Sequence, residues 1–156
     1  MVNTLKYRNL SKKDSHEISE LVISTGSLLK EVDFTAEGWE FFVEVNQPDI
    51  VKDRFDEGFT SMGAFKNEEL VALITIKDNR HITQLFVKKD CQGKGISSRL
   101  WALVENITND TKAHKEYTVF SSSLAIPVYE SFGFQVTDPP QEKNGIYYRP
   151  MKLLKR

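Results

Sequence analysis

The sequence predicts an α/β fold of the α+β type: a central twisted sheet of six to seven strands, mixed antiparallel and parallel, with about four helices on its two faces. Three observations predict it. Two apolar, β-branched runs, residues 59–65 and 70–76, flank Lys66-Asn67-Glu68-Glu69 and read as a hairpin. A second turn, Lys77-Asp78-Asn79-Arg80, leads from there into a third run at 82–87. The period then changes: Ile96, Leu100, Leu103, Val104 and Ile107 recur at helical spacing before a further strand-like run at 117–120. Sequential hairpin strands followed by strand–helix alternation call for a sheet with both kinds of neighbour and helices on both sides.

Length and composition bound the rest. A chain of 156 residues is enough for one domain, expected to span 1–156. A net charge of −1 gives no general attraction to nucleic acid or to a membrane surface. The lone cysteine, Cys91, excludes an internal disulfide framework and fits a reducing, cytoplasmic setting. Met1-Val2-Asn3-Thr4 does not open a basic-then-apolar leader, and no apolar run approaches the ~20 residues that span a bilayer. His16, His81 and His114 are scattered and form no HExxH or Cys/His cluster, so no metal is expected.

Taken in order, residues 5–8 suggest a short edge strand. Ser11-Lys12-Lys13-Asp14 matches a capping box, with Ile18, Leu21, Val22, Leu28 and Leu29 as the helical stripe behind it. Residues 34–54 carry Phe34, Trp39, Phe41, Phe42 and Val45 before Pro48 and read as a helix or helix-loop-helix. This stretch is acidic: Glu31, Asp33, Glu37, Glu40, Glu44, Asp49, Asp53, Asp56 and Glu57 face only Lys52 and Arg54. Either this is a solvated helical face, or it is a rim that attracts a cationic substrate. Residues 70–76 are nearly all apolar, as expected of a strand covered on both faces. After the strand at 117–120, Ser121-Ser122-Ser123 precedes a short helix with the stripe Ala125, Val128, Tyr129 and Phe132. Pro127 fits its first turn and Gly133 its C-terminal stop. Residues 134–136, a Pro139-Pro140 loop, Asn144-Gly145 and residues 146–153 close the chain as paired strands, although the arm before Asn144 is loop-like.

The chemistry concentrates in the turn Asp90-Cys91-Gln92-Gly93-Lys94-Gly95, between the strand at 82–87 and the helix from Ile96. A strand that passes through a glycine turn into a helix gathers bare backbone N–H groups at one spot, and the helix dipole adds positive charge there. Such a turn suits phosphates. A P-loop needs GxxxxGK followed by Ser or Thr, and Gly93-Lys94-Gly95 has neither that spacing nor the hydroxyl. A dinucleotide fingerprint, GxGxxG, lacks its third glycine at Ser98, and too few residues follow for the rest of that fold.

The pattern Gln-x-x-Gly-x-small does fit, as Gln92, Gly95 and Ser97. Together with Leu85-Phe86-Val87 it resembles motif A of the GCN5-related N-acetyltransferase (GNAT) family. Downstream, Ser122-x-x-Ala125-x-x-Val128-Tyr129-x-x-Phe132-Gly133-Phe134 is similar to that family's NxxAxxLYxxxGF segment, and Tyr147 to Lys152 resembles its last strand. The resemblance implies acetyl-CoA as co-substrate, no metal, and a small-molecule or peptide amine as acceptor. With a net charge of −1 no nucleic-acid or membrane partner is expected, and the oligomeric state, a homodimer included, is left open. In the family the strand end meets the pantetheine arm and the turn wraps the pyrophosphate. That places Leu85, Phe86, Val87, Gln92, Gly93, Lys94, Gly95, Ile96, Ser97, Ser98 and Ser122 at the cofactor. Tyr129 is implied as the general acid at the leaving sulfur, in a direct transfer within a ternary complex. Ser97 stands where the family prefers Gly or Ala, and Ser122 where it has Asn. The Ser122 departure keeps a second possibility open, a non-catalytic acyl-CoA-binding or regulatory module. The general base is not legible: His81, Glu31, Asp33 and Glu37 all remain candidates. Cys91, near a helix N-terminus, is either a loop filler or a nucleophile for a covalent acyl intermediate.

Overall fold

The computed structural model describes residues 4–109 and 115–155; Met1, Val2, Asn3 and His114 lie outside the described residues. Strand β1 (Leu5–Asn9) leads through a 3-10 turn into α1 (Ser15–Gly26). Then come α2 (Lys30–Asp33), α3 (Ala36–Val45), α4 (Pro48–Arg54), and the strands β2 (Phe59–Lys66), β3 (Glu69–Lys77) and β4 (His81–Val87). The chain continues as α5 (Ile96–Thr108), β5 (Lys115–Ser121), α6 (Ile126–Ser131), β6 (Gln135–Val136), β7 (Gln141–Lys143) and β8 (Ile146–Lys155). The sheet order is β1-β2-β3-β4-β5-β8-β6, with β7 attached to β8. All neighbours are antiparallel except β4 and β5.

The predicted mixed sheet with helices on both faces is present. Among the described residues it has eight strands rather than six or seven, because the closing segment divides into β6, β7 and β8. Among the described residues it has six α-helical segments rather than about four, because residues 30–54 break into one helical turn and two short helices. Turn chemistry sets the hairpins. Asn67 (φ 50°) and Glu68 (φ 68°) join β2 to β3, and Asn144 (φ 55°) and Gly145 (φ 78°) join β7 to β8. Both are two-residue loops with positive φ, which match the twist of the flanking strands. The arm before Asn144, loop-like in sequence, is thus a three-residue strand paired Lys143↔Ile146.

The sheet separates two cores. Ala72, Ile74, Ile76 and Ile82 pack on one face with Leu100, Trp101 and Val104 of α5 and with Tyr129 and Phe134. Leu70 and Leu73 pack on the other face with Ile18, Leu21 and Val22 of α1 and Val51 of α4. On α5 the apolar stripe rotates slightly from the sequence expectation: Trp101 is buried, while Ile107 is 51% exposed. Leu28 is likewise exposed, because α1 ends at Gly26.

At the start of α1 the capping box forms, with the Ser11 N–H donating to Asp14 Oδ2 at 2.8 Å. Arg8 donates to both carboxylate oxygens of the buried Asp14, at 3.0 and 3.1 Å. The Arg8 guanidinium holds the Asp14 carboxyl below the usual carboxylate range. A depressed folded-state pKa contributes stability that is present above the unfolded value of ~3.9 and is lost as pH falls through the folded one. The thermal midpoint of Asp14→Asn should therefore lie below that of the wild type at neutral pH and converge with it below about pH 4. A constant gap on acidification would show that the carboxylate charge contributes nothing.

Candidate active site

The site follows from one irregularity in strand pairing. β4 pairs with β3 along its whole length, from Lys77↔His81 to Ala72↔Val87. Its other edge pairs with β5 only at His81↔Thr118 and Ile82↔Val119. At that point the β3–β4 register shifts, and Thr83 is the extra residue of a bulge in β4. A bulge bends and twists its strand, so β4 and β5 part beyond it and leave a fork in which Thr83 to Val87 have no strand partner on that edge. Both strands are parallel and run into helices at their C-terminal ends. A crevice outside diverging parallel strand ends is the usual ligand position in an α/β sheet.

The glycine turn lies at the end of one prong. Gly93 (φ 75°) and Gly95 (φ 79°) both occupy the left-handed region, and nothing lies within 4 Å of where a Cβ would be on either. Gly95 immediately precedes the thirteen-residue α5, whose first N–H groups have no partner within the helix. Gln92, Gly93, Lys94, Gly95 and Ser98 are exposed, and Ser97 is half-buried. Gln92 Nε2 donates to the Val87 carbonyl at 3.0 Å, tying the turn to the strand end. The Ile96 side chain is buried in the core, so only its backbone is available at the turn. Leu85 and Val87 pack toward the α5 core, whereas Phe86 points through the opposite face and meets the ring of Phe42 at 6.2 Å.

The second prong carries Tyr129. After β5, the Ser122 hydroxyl accepts the Ala125 N–H at 3.3 Å and so serves the turn that starts α6. Pro127 lies in the first turn of α6, and Gly133 (φ 102°) ends it with the Phe134 N–H bonded to the Tyr129 carbonyl at 3.0 Å. The Tyr129 ring, 4% exposed, packs edge-on against Phe132 and Phe134 at 6.0 and 5.7 Å. Burial pushes its phenol pKa well above the ordinary value, so it stays protonated.

One candidate, Cys91, is weakened as a nucleophile. Burial and the adjacent Asp90 push the Cys91 thiol up, and its Sγ lies 3.6 Å from Asp90 Oδ1. A thiol held in the neutral form is a poor nucleophile. Lys88 is tied to Glu69 at 2.6 Å on the surface. His81 stands at the root of the fork, its Nδ1 2.7 Å from Thr118 Oγ1 and its ring edge-on to Phe120 at 4.7 Å. Burial, and then Lys77, lower its pKa.

Several residues near the site are not evident from sequence. Asn46 is buried and joins four elements: its Oδ1 accepts from Arg54 and from Gln84 of β4 at 3.0 and 2.8 Å. Its Nδ2 donates to the Phe42 carbonyl, and its own carbonyl accepts Ser19 Oγ at 2.6 Å. Phe120 and Tyr148, with rings 4.6 Å apart, extend from His81 across the open face of β5 and β8. Alternation in β5, with Tyr117 and Val119 inward, was the available signal for an outward Phe120. Among the described residues no group of three or more His, Cys, Asp or Glu could hold a metal ion, and no helix is long and apolar enough to cross a membrane.

Residues 30–155, which include the whole fork, the glycine turn and α6, match the family model for the acetyltransferase (GNAT) domain. The chain belongs to the GNAT acetyltransferase family. Solved GNAT structures share its fold at low identity. The PaiA N-acetyltransferase of Thermoplasma acidophilum, crystallised with coenzyme A, superposes with a TM-score of 0.81 at 19% identity, covering 98% of this chain and 99% of its own. A GCN5-related N-acetyltransferase from Rhodopseudomonas palustris gives 0.81 at 19%, covering 98% of each chain. A GNAT acetyltransferase from Staphylococcus aureus Mu50 gives 0.72 at 13%, covering 97% and 99%. No curated protein matches the chain significantly.

Proposed function

We propose that the whole chain forms one N-acetyltransferase domain, which moves the acetyl group of acetyl-CoA to a primary amine in a ternary complex. The fork between β4 and β5, ending at the Gly93–Gly95 cradle, is the observation that carries this reading. A pantetheine arm is an extended chain of amides, and the unpaired edge of Thr83 to Val87 offers it the bonds of an added strand. The first N–H groups of α5 and the charge of Lys94 suit the pyrophosphate, with Gly93 and Gly95 letting the backbone close in. The backbone N–H of Val87, or of Phe86, would polarise the thioester carbonyl.

In the reaction the neutral amine nitrogen attacks the thioester carbon, forming the C–N bond. Collapse of the tetrahedral oxyanion breaks the C–S bond, and the leaving thiolate takes the Tyr129 proton. The ammonium nitrogen formed on attack loses a proton to solvent, and the Tyr129 phenolate regains one from solvent. Burial raises the pKa of the phenol and so keeps its proton in place at neutral pH until the thiolate departs. With the Cys91 thiol held neutral, direct transfer is favoured over an acyl-enzyme.

Acetyl-CoA at about 100 times its Kd should add ~2.7 kcal/mol of stability, a rise in the thermal midpoint of roughly 5–10 °C for a chain of this size. NADH should give none. A response to NADH and not to CoA overturns the proposal. A CoA response without thiol release against any amine would instead favour the non-catalytic module suggested by Ser122.

A further inference from the structure

Helix α3 joins the two sides of the fork. At its C-terminal end stands Asn46, 2% exposed. The Asn46 Oδ1 accepts from Nε2 of Gln84 at 2.8 Å, on the stretch of β4 that has no partner in β5. Gln84 is the first residue after the bulge, where pairing with β3 resumes as Thr75↔Gln84. At the N-terminal end Thr35 caps α3, its hydroxyl accepting the Gly38 N–H at 3.0 Å. The N–H and hydroxyl of Thr35 both donate to the Gly145 carbonyl, at 2.9 and 3.2 Å. Gly145 lies in the turn between β7 and β8, and β8 pairs with β5. Just before Thr35, the buried Asp33 accepts the Ser123 N–H at 3.2 Å in the turn after β5, and Phe34 bridges Ile146. One end of α3 is thus fixed to β4, and the other to the strands beyond the fork.

The N-terminal attachment has no slack. A Cβ on Gly38 would strike the Gly145 carbonyl oxygen, and one on Gly145 would lie 2.6 Å from the Gly38 nitrogen. Between its ends the helix rests on the edge of the fork: Phe42 meets Phe86 at 6.2 Å, and Trp39 stacks on Phe42 at 5.5 Å. A helix of ten residues is about 15 Å long, and its hydrogen bonds keep that length fixed. The strands alone leave the fork free to widen, since β4 and β5 share two rungs at its root. A rigid bar pinned on both sides sets the distance between them.

We propose that α3 is a strut that fixes the opening of the β4–β5 fork, with Gln84 and Gly38 as positioning residues for acetyl-CoA. This rests on the transferase reading above, in which the fork takes the pantetheine arm. A fork held at one width is ready for its ligand. Once a pin is released, that width becomes one of several, and the apparent affinity falls with the fraction of molecules that hold it. The pins act in series: losing either frees the fork, and losing the second adds little. Residues at opposite ends of a helix, with no shared partner, ordinarily have additive effects. Non-additive binding is therefore the signature of a strut.

The test measures acetyl-CoA binding to the full chain by titration calorimetry, with the thermal midpoint of the free protein alongside. It compares the wild type, Gln84→Leu, Gly38→Ala and the double variant. Gln84→Leu keeps the bulk and removes the bond to Asn46, whose Oδ1 retains Arg54 at 3.0 Å. Gly38→Ala adds one methyl group against the hairpin, and alanine is the better helix former. Each single variant is expected to raise the Kd for acetyl-CoA about 3- to 10-fold, the equivalent of one hydrogen bond. The double variant should stay near about 10-fold, whereas independent sites would multiply to as much as about 100-fold. Should Gly38→Ala fail to fold, Thr35→Val takes its place and removes the hydroxyl that bonds Gly145 and caps α3. A wild-type Kd in either single variant overturns the proposal, whatever its thermal midpoint, since that end of α3 would then only support the fold. Two increases that multiply in the double variant overturn it as well, because each pin would act on its own strand alone. A wild type that does not bind acetyl-CoA is a separate result, which removes the transferase reading and the strut with it.

Discussion

Tyr129→Phe should lower kcat for amine acetylation by roughly 10²- to 10⁴-fold, the usual range for a lost general acid, while the KM for acetyl-CoA and the thermal midpoint hold. The two requirements are separable because the ring and the hydroxyl do different work. The ring packs between Phe132 and Phe134 and is retained in the phenylalanine variant. Only the O–H, the proposed proton donor to the departing sulfur, is removed. Because burial raises the phenol pKa, the wild-type group stays protonated between about pH 6 and 9, and the loss should be uniform across that interval. An unchanged rate there, with an accepted amine, would reduce Tyr129 to a core residue.

The largest effect on stability is expected at Trp101. The indole is buried on α5 and meets Tyr117 at 5.0 Å, Phe134 at 5.5 Å and Phe132 at 5.9 Å. Truncating a buried aromatic of this size to Ala costs about 3–5 kcal/mol in lost transfer energy and cavity formation. For a chain of this length that is a fall in thermal midpoint of roughly 6–20 °C, and in urea the transition should move to lower concentration with its slope unchanged. Activity should suffer as well, because the two phenylalanines that Trp101 holds also fix the Tyr129 ring. A midpoint equal to that of the wild type would mean that the three rings repack fully around the gap.

The two halves of the site were unequally legible. The glycine turn and the segment from Ser122 to Phe134 announce themselves through local chemistry: positive-φ glycines, a proline in a first turn, a tyrosine four residues before a terminating glycine. The hairpins around Asn67-Glu68 and Asn144-Gly145 are local in the same way. The fork is not, because it depends on where β4 and β5 stop pairing, and two strands separated by a helix give no sign of register. Asp33 was one of several indistinguishable acids, because burial at that position is decided by the turn after β5 and by β8, remote in sequence. Ile107 fits the apolar spacing of α5 yet is exposed, and Trp101, outside that spacing, is buried, because the partners across the core decide which way the helix turns its face. Asn46 gave no signal, since a buried amide that joins four elements looks in sequence like a helix-terminal asparagine.

The pairing pattern also has a mechanical side. Strands β1 to β4 form one antiparallel leaf and β5 to β8 another, and the two are stitched along their strands by only two rungs, His81↔Thr118 and Ile82↔Val119. The sheet is therefore two leaves on a short hinge, with α5 crossing the seam. An extended molecule lodged between the leaves would act as the missing length of hinge, so occupancy of the fork and cohesion of the two leaves rise and fall together.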